Sequence, residues 1–332
     1  MNNKVLHILC FLLTAISVRG QEMQFTQFYA SPMFLNPAFA GLTYEHRFTA
    51  NYRRQWPGIN RSYTTYMGAY DYNISDLNSG IGGFMIQDIA GSANLITTQA
   101  GANFAYSVKL NKTSEIRGGM MVAMTQKRLD NTRLTFNDQF ITGSATSVDY
   151  KSEKINYLDM GAGALYNSRY YWVGVSARHI NQPNVSMLGN VEVLPVYLSV
   201  HGGYRYIIAA QGLSKTNFEE FISASVHYRK EQRYDQFDIG AYYFKSFLNV
   251  GLWYRGLPFK KYKPGYPGRE SIAVLLGIEI PDKNLRVGYS YDITVSRLGI
   301  TNTQGAHEVS MVYEIAKKRR RTKRVLVSCP KF

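Results

Sequence analysis

The side chains that most often carry catalysis or bind metals are scattered along this sequence. Its six histidines stand at positions 7, 46, 179, 201, 227 and 307. No two of them have the His-Glu-x-x-His spacing that directs two imidazoles of one helix to a zinc ion. No Gly-x-Ser-x-Gly elbow presents a nucleophile, and the carboxylates occur singly rather than as acid–base pairs. The sequence therefore predicts no enzyme and no catalytic, metal-binding or cofactor-binding residue.

A glycine cluster follows Ser79, at Gly80, Gly82 and Gly83. It is not followed by the Lys-Ser/Thr pair of a phosphate-binding loop, and it opens no helix. Glycine inside a strand allows bending or the close approach of another segment. The cluster therefore predicts tight packing rather than a nucleotide site.

The first twenty residues have the pattern of a secretory signal peptide. Lys4 gives a positive start, positions 5–18 form a mostly apolar run, and cleavage is expected between Gly20 and Gln21. Cys10 lies too early in this run to be a lipoprotein acylation site. An ordinary buried N-terminal strand is the alternative. The pattern favours an exported mature chain.

Composition favours an all-β protein. Aromatic residues make up 14% of the 332 residues and charged residues only 18%, and past residue 20 no run of about 18 apolar residues could form a membrane helix. Without the leader, Cys329 is the single cysteine, so no internal disulfide can form. A soluble β-sandwich and a membrane β-barrel both satisfy these features.

The alternation of side chains separates these two architectures. Val287 and Tyr289 alternate with Gly288 and Ser290, and similar runs recur from residue 44 to residue 315. The polar positions hold Gly, Ser and Asn with scattered charges, which suits a crowded lumen better than a face that meets bulk water. Tyrosines stand at strand ends, where an interfacial aromatic belt would lie: Tyr254, Tyr291 and Tyr313.

Fourteen runs of this kind predict a single transmembrane antiparallel β-barrel. An even strand number puts both ends of the wall on one side, expected to be the periplasm. The connections expected on that side are short except for 209–218, whereas the other long ones, at 128–155, 180–193, 257–270 and 295–305, are expected on the opposite side. The strands are predicted at 44–56, 61–74, 79–89, 95–110, 114–127, 156–167, 169–179, 194–208, 219–231, 235–246, 248–256, 271–281, 284–294 and 306–315.

Two segments lie outside the predicted barrel of residues 44–315. Residues 21–43 are expected as a periplasmic N-terminal segment, because two prolines make it a poor strand and its aromatic side chains are costly to leave in water. They must pack on the barrel, plug its mouth or contact another protein. Residues 316–332 are expected to form a basic periplasmic tail, in which positions 317–324 supply seven positive charges. This tail is either a solvated anchor or a contact for anionic headgroups or an acidic partner; nucleic acid is not expected.

Four stretches of the sequence resemble one protein family. They are Gln24-Phe25-Thr26-Gln27-Phe28-Tyr29-Ala30-Ser31-Pro32, Leu35-Asn36-Pro37-Ala38-Phe39-Ala40-Gly41, Asn51-Tyr52-Arg53-Arg54-Gln55-Trp56-Pro57 and Cys329-Pro330-Lys331-Phe332. Together they resemble the PorP/SprF family of type IX secretion system outer-membrane proteins of Bacteroidota. The N-terminal stretches are specific as a combination, and the ending matches the family's Cys-Pro-Arg/Lys-Phe.

The resemblance implies a fourteen-stranded barrel in the outer membrane of a Gram-negative cell. No cofactor is expected, because the sequence holds no cofactor-binding motif. The resemblance also implies a role in type IX secretion and gliding motility, with partners among secreted adhesin cargo bearing the type B C-terminal signal, other machinery proteins and outer-membrane lipid. A passive porin or small-solute channel is the main alternative, and an outer-membrane hydrolase is a third. The candidate partner-binding residues are Phe25, Phe28, Tyr29, Asn36, Pro37, Arg53, Trp56, Lys317, Lys318, Arg319, Arg320, Arg321 and Cys329.

Overall fold

The chain folds into one closed antiparallel β-barrel of fourteen strands. The computed structural model describes residues 22–315 except 44, 60–61, 92–93, 131–153, 188–189, 210–219, 233 and 264–265. The strands are β1 His46–Gln55, β2 Tyr63–Ile74, β3 Ser79–Ala90, β4 Leu95–Lys109, β5 Ser114–Leu129, β6 Lys154–Ser168, β7 Tyr171–Arg178, β8 Tyr197–Ala209, β9 Glu220–Glu231, β10 Tyr234–Lys245, β11 Leu248–Lys263, β12 Tyr266–Ile280, β13 Leu285–Thr294 and β14 Ala306–Ile315. Each strand pairs with its neighbours in sequence, which confirms the predicted architecture.

The sheet closes where β1 meets β14. Their pairing runs without a break from His46 opposite Ile315 to Gln55 opposite Ala306. Closure leaves no sheet edge, and a free edge in hydrocarbon would leave backbone N–H and C=O groups without partners. Among the described residues, no helix has the length and apolar character needed to cross a membrane.

The wall has the two faces that the alternation predicts. Val287, Tyr289, Val309 and Met311 are exposed on the outside of the barrel, whereas Ser290 faces inward and is buried. The same alternation of exposed apolar and buried polar residues holds along β5, β7 and β9. The wall therefore presents apolar side chains to lipid and polar side chains to the lumen.

The two ends of the barrel differ in their connections. We call the end where β1 begins and β14 ends the near end, and the opposite end the far end. At the near end, residues 75–78, 110–113, 169–170, 246–247 and 281–284 join neighbouring strands. Long connections stand at the far end, including 179–196 and 295–305. The connections at 131–153 and 210–219 lie outside the described residues. That the near end faces the periplasm stays a prediction.

One predicted loop is wrong. Residues 257–270, expected as a long outer loop, mostly continue β11 and β12, which pair from Leu257 opposite Gly268 to Lys263 opposite Tyr266. Register shifts begin between Arg255 and Gly256. Prolines and lysines remove the regular alternation here, although backbone pairing does not depend on that alternation. The side-chain pattern therefore ends before the strands do.

Candidate functional site

The lumen is occupied by the chain's own N-terminal segment. We call residues 22–43 the plug. Glu22 contacts Arg178 and His179, where β7 ends at the far end. Gly41 donates its N–H to Asp71 and lies against Tyr72 close to the near end. The plug thus runs through the barrel from the far end to the near end.

The local sequence explains why the plug is compact but not a regular helix. It makes three short helical turns, at Phe28–Ala30, Pro32–Leu35 and Pro37–Phe39. Each proline occupies the first position of its turn, where the missing N–H costs nothing. Asn36 is extended, as expected before a proline, and its side chain accepts from Ala38 N at 2.9 Å. Such short turns leave many backbone groups without helical partners.

Side chains of the wall satisfy those backbone groups. Arg117 donates to Ala38 O at 2.9 Å and to Ala40 O at 2.6 Å. Ser176 donates to Leu35 O at 2.8 Å. Because a buried carbonyl without a donor costs free energy, these contacts fix the path of the plug as well as its position.

Asn36 is the central polar contact of the plug. Its side chain is fully buried and donates to Ala164 O and Val175 O, both at 3.1 Å. It also lies 3.2 Å from Nε2 of His201. One plug residue therefore joins β6, β7 and β8 from inside the barrel.

A buried charge cluster binds the plug nearer the far end. Glu308 accepts from the backbone N–H groups of Thr26 and Gln27 at 2.6 and 3.0 Å. Arg53 pairs with Glu308 at 3.2 Å and with Asp292 at 2.8 Å. Buried charges are stable only when they are paired and hydrogen-bonded, and here the plug supplies part of that pairing. Wall and plug therefore depend on each other.

Close packing also requires wall residues without a side chain. A Cβ at Gly80 would lie 2.0 Å from Ala40 O, and one at Gly119 would lie 2.3 Å from Ala38 N. Real Cβ atoms do not approach backbone atoms so closely, so only glycine fits at these two positions while the plug keeps its present place. The tight packing predicted for the cluster around Gly80 is confirmed.

Aromatic side chains complete the interior on the other side of the plug. The ring of Phe28 meets that of Trp253 edge-on with centroids 4.9 Å apart. Phe39 meets Trp172 in the same way at 5.8 Å. Such edge-to-face pairs add stabilisation beyond the burial of their area. Both tryptophans stand on the inward face of the wall, so the lumen is partly apolar.

An ionic latch holds the far end of the plug. The carboxylate of Glu22 contacts Arg178, and its Oε1 lies 3.1 Å from Nε2 of His179. Nδ1 of His179 lies 2.9 Å from Asp159. Burial alone would raise the pKa of Glu22, but the positive charges of Arg178 and His179 lower it. Burial alone would lower the pKa of His179, but the carboxylates of Glu22 and Asp159 raise it to about 9, so both partners are charged at neutral pH.

The structure places five of the predicted partner-binding residues inside the barrel. Phe25, Phe28, Asn36, Pro37 and Arg53 are buried, and their contacts with the wall or the plug are internal. This is the first of the three options left open for the N-terminal aromatic residues: the segment packs against its own barrel. It lies within the lumen, so the expectation of a separate periplasmic segment does not fit residues 22–43.

The other predicted residues lie elsewhere. Trp56 lies at the far rim, with its ring edge-on to Tyr63 at 5.7 Å, in agreement with an aromatic belt. Tyr29 belongs by its backbone to the turn Phe28–Ala30. Residues 317–321 and Cys329 lie outside the described residues. No described contact tests their predicted role with a partner.

The sequence analysis did not identify the wall residues that hold the plug. Asp292, Glu308 and Arg117 occupy inward positions of strands far apart in the chain, and Thr26 meets Glu308 across 282 positions. A signal was nevertheless present, because charged residues and two tryptophans, Trp172 and Trp253, stand at inward positions of the strands. Within the described part of the chain, no group of three or more His, Cys, Asp or Glu side chains could hold a metal ion.

Comparison with known proteins adds a family and several barrels of similar shape. The model of the family described as "Type IX secretion system membrane protein PorP/SprF" matches residues 17–313. Omp33 of Acinetobacter baumannii is similar with 10% identity and a TM-score of 0.43, covering 83% of this chain and 100% of its own. The CymD monoaromatic hydrocarbon channel has 11% identity and a TM-score of 0.47, with coverage of 87% and 94%. The toluene transporter TodX of P. putida has 12% identity and a TM-score of 0.43, with coverage of 85% and 93%. No curated protein matches the chain.

Proposed function

This chain belongs to the PorP/SprF family of type IX secretion system membrane proteins, and we propose that it serves that system by binding rather than by conduction or catalysis. It is an outer-membrane component of the secretion system. In the proposed role, its rims and terminal tail bind machinery or cargo, and this supports the export and surface attachment of large adhesins used in gliding. The cargo would carry the type B C-terminal signal that the family resemblance implies.

The filled lumen is the observation that supports a binding role. A channel for solutes needs an open, water-filled path, whereas here the plug runs between the two ends and its backbone is bound by the wall at Arg117, Ser176 and Glu308. A passive porin is therefore the less favoured alternative. With the lumen occupied, the surfaces left for partners are the far-end loops, the near-end connections and the lipid-facing wall.

Capture of partners from the native membrane tests the proposal. The full-length protein, tagged in a far-end loop and purified in mild detergent, is expected to retain machinery or adhesin proteins. A barrel without type IX function, tagged and extracted in the same way, is the control. In parallel, a strain that lacks this protein is expected to lose surface display of at least one adhesin.

Two results would contradict the proposal. One is a deletion strain that exports and displays every adhesin at the level of the parent. The other is steady single-channel conductance of the unaltered protein in a planar bilayer, because that would show an open lumen and favour the solute channel.

A further inference from the structure

The lipid-facing wall carries a furrow beside the seam between β14 and β1. A cavity of about 570 Å³ opens there. Its floor is formed by Ala50 on β1 and Gly68 on β2, which lie directly opposite each other. Met311 and Met85 follow on the adjoining strands, opposite Ala50 and Gly68 respectively. A Cβ added at Gly68 would meet nothing within 4 Å, so the space above the floor is open.

Aromatic pairs border the furrow along the strands. On the far side, the rings of Tyr52 and Tyr66 lie 5.2 Å apart. On the near side, Phe48 and Tyr70 lie 4.8 Å apart. All four side chains are exposed on the outside of the barrel. The furrow is therefore an apolar slot between two aromatic walls, with flexible methionine side chains at its flanks.

A cation stands beyond the far side of this slot. Arg54 occupies the next outward position of β1 after Tyr52 and is exposed. It lies opposite Thr64 on β2 and His307 on β14, and its Nε donates to the hydroxyl of Ser62 at 3.4 Å. No carboxylate of the described residues forms an ion pair with it. At about 3.3 Å per residue, its backbone lies about 13 Å from that of Ala50.

We propose that the furrow and Arg54 together bind one anionic, phosphate-bearing membrane lipid. The headgroup phosphate accepts hydrogen bonds from the Arg54 guanidinium and the Ser62 hydroxyl, a charge-assisted contact for which arginine is well suited. One acyl chain lies over Ala50 and Gly68 between the aromatic pairs. The proposal does not depend on the secretion role.

The position of the furrow favours a lipid as its occupant. The residues that line the furrow face the hydrocarbon of the membrane, where lipid acyl chains surround the barrel. Ala50 and Gly68 leave the furrow open, and a flexible acyl chain can fill it. The charge of Arg54 complements an anionic headgroup, and it lies beyond the tyrosine pair, where the aromatic belt marks the polar interface. Without Arg54, the furrow would bind the acyl chains of lipids regardless of the headgroup.

Native mass spectrometry of the full-length protein tests the site. The protein is transferred from nanodiscs of phosphatidylcholine that contain a minor fraction of phosphatidylglycerol, and the retained lipids are identified. The unaltered protein is expected to retain phosphatidylglycerol selectively. Arg54→Gln, which removes the charge, and Gly68→Leu, which fills the slot, are each expected to weaken retention at least about tenfold.

Matched controls lie on β5, outside the furrow. Gly118 on β5 also faces outward with nothing within 4 Å of an added Cβ, and Arg128 is an exposed outward arginine near the far end of the same strand. Gly118→Leu and Arg128→Gln are expected to retain phosphatidylglycerol as the unaltered protein does. Heat-dependent migration of the folded barrel in gels checks that each variant is folded. Arg54→Gln alters only an exposed side chain, so it provides a test even if Gly68→Leu fails to fold.

Four outcomes would overturn the proposal. Retention could be the same in Arg54→Gln and in the unaltered protein, or it could fall equally in the control variants. A protein subunit from the native membrane could also be lost in Gly68→Leu alone, with phosphatidylglycerol unaffected, which would make the furrow a protein interface. Excess inorganic phosphate is expected to leave the lipid bound, because it competes only for Arg54; displacement by phosphate would remove the role of the acyl chain.

Discussion

Single side chains decide how the plug is held, and His179 shows this most clearly. It lies between two carboxylates, Glu22 of the plug and Asp159 of the wall. From the sequence, the histidines gave no sign of a role because none has a metal or catalytic spacing. The role of His179 is electrostatic and depends on a neighbour 157 positions away, which no local pattern encodes.

The latch at His179 is expected to loosen as the pH rises. Its pKa in the folded protein, about 9, stands above the value of about 6.5 for a free histidine. The charged form therefore stabilises the latch fully below about pH 6.5, and this contribution is lost as the pH rises through 9. A spin label at Met23→Cys in a Cys329→Ser background should become more mobile over that range.

The same label in a His179→Gln background provides the control, because that variant has no titrating group at the latch. It should show high and nearly constant mobility. A label that becomes mobile over the same pH range in both backgrounds would assign the change to another group.

At the scale of the element, strands were predictable and the plug was not. Thirteen strands begin within three residues of their predicted positions, because the alternation that predicts them depends only on which face of the strand meets lipid. The exception is β12, which begins at Tyr266 rather than at residue 271. For residues 21–43, the two prolines made a central strand unfavourable. The aromatic side chains then left three possible locations: on the barrel, in its mouth or against another protein. The choice among them depends on wall groups such as Glu308 and Gly119, which come together only after the barrel has closed.

The outward face of the wall gives an element-scale prediction. Val287→Arg on β13 or Val309→Arg on β14 places a charge toward lipid and should cost about 2–4 kcal/mol at mid-depth. The yield of folded protein in the membrane fraction should fall. Val295→Arg, just beyond the far end of β13, should cost much less because the charge can reach the interface. Equal yields for Val287→Arg and the unaltered protein would show that the face assignment is wrong.

The inward glycines give a second prediction. Gly119→Val places side-chain atoms where Ala38 N now lies, so the plug must move, whereas Gly118→Val on the same strand points into open space. Overpacking of this kind costs about 1–3 kcal/mol, and thermal unfolding of Gly119→Val in detergent should begin at lower temperature. In a planar bilayer, Gly119→Val should show channel openings that the unaltered protein and Gly118→Val do not.

A Gly119→Val variant that folds but shows no channel openings in the bilayer would contradict this prediction. It would show that the plug can shift within the lumen without opening it. The occupied lumen would then be a property of the whole interior rather than of the contact between Gly119 and Ala38.

At the scale of the whole molecule, the sheet closes on itself and the plug fills the lumen. The pairing of β1 with β14 removes the last sheet edge, and the plug satisfies charges on strands from both halves of the wall. Surfaces for partners are then confined to the two rims, the lipid face and the basic tail that follows β14. The tail lies outside the described residues, and its role stays a prediction.

Reversing the charges of residues 317–324 should weaken association with a partner at the near end. These positions supply seven of the chain's positive charges, so an acidic partner should be lost from pull-downs at low salt, where such attraction is strongest. A variant that replaces arginine by lysine in the same tail should retain the partner. Unchanged recovery after charge reversal would remove the tail from the interaction.

The path of the plug puts Glu22 and Ile315 at opposite ends of the barrel, whereas an even strand number alone would put the residues before β1 and after β14 at the same end. Glu22 lies beside the last residues of β7, and Ile315 ends β14 at the other end of the barrel. An epitope inserted just ahead of Glu22 and another joined just past Ile315 would therefore be reached by antibodies from opposite sides of the membrane.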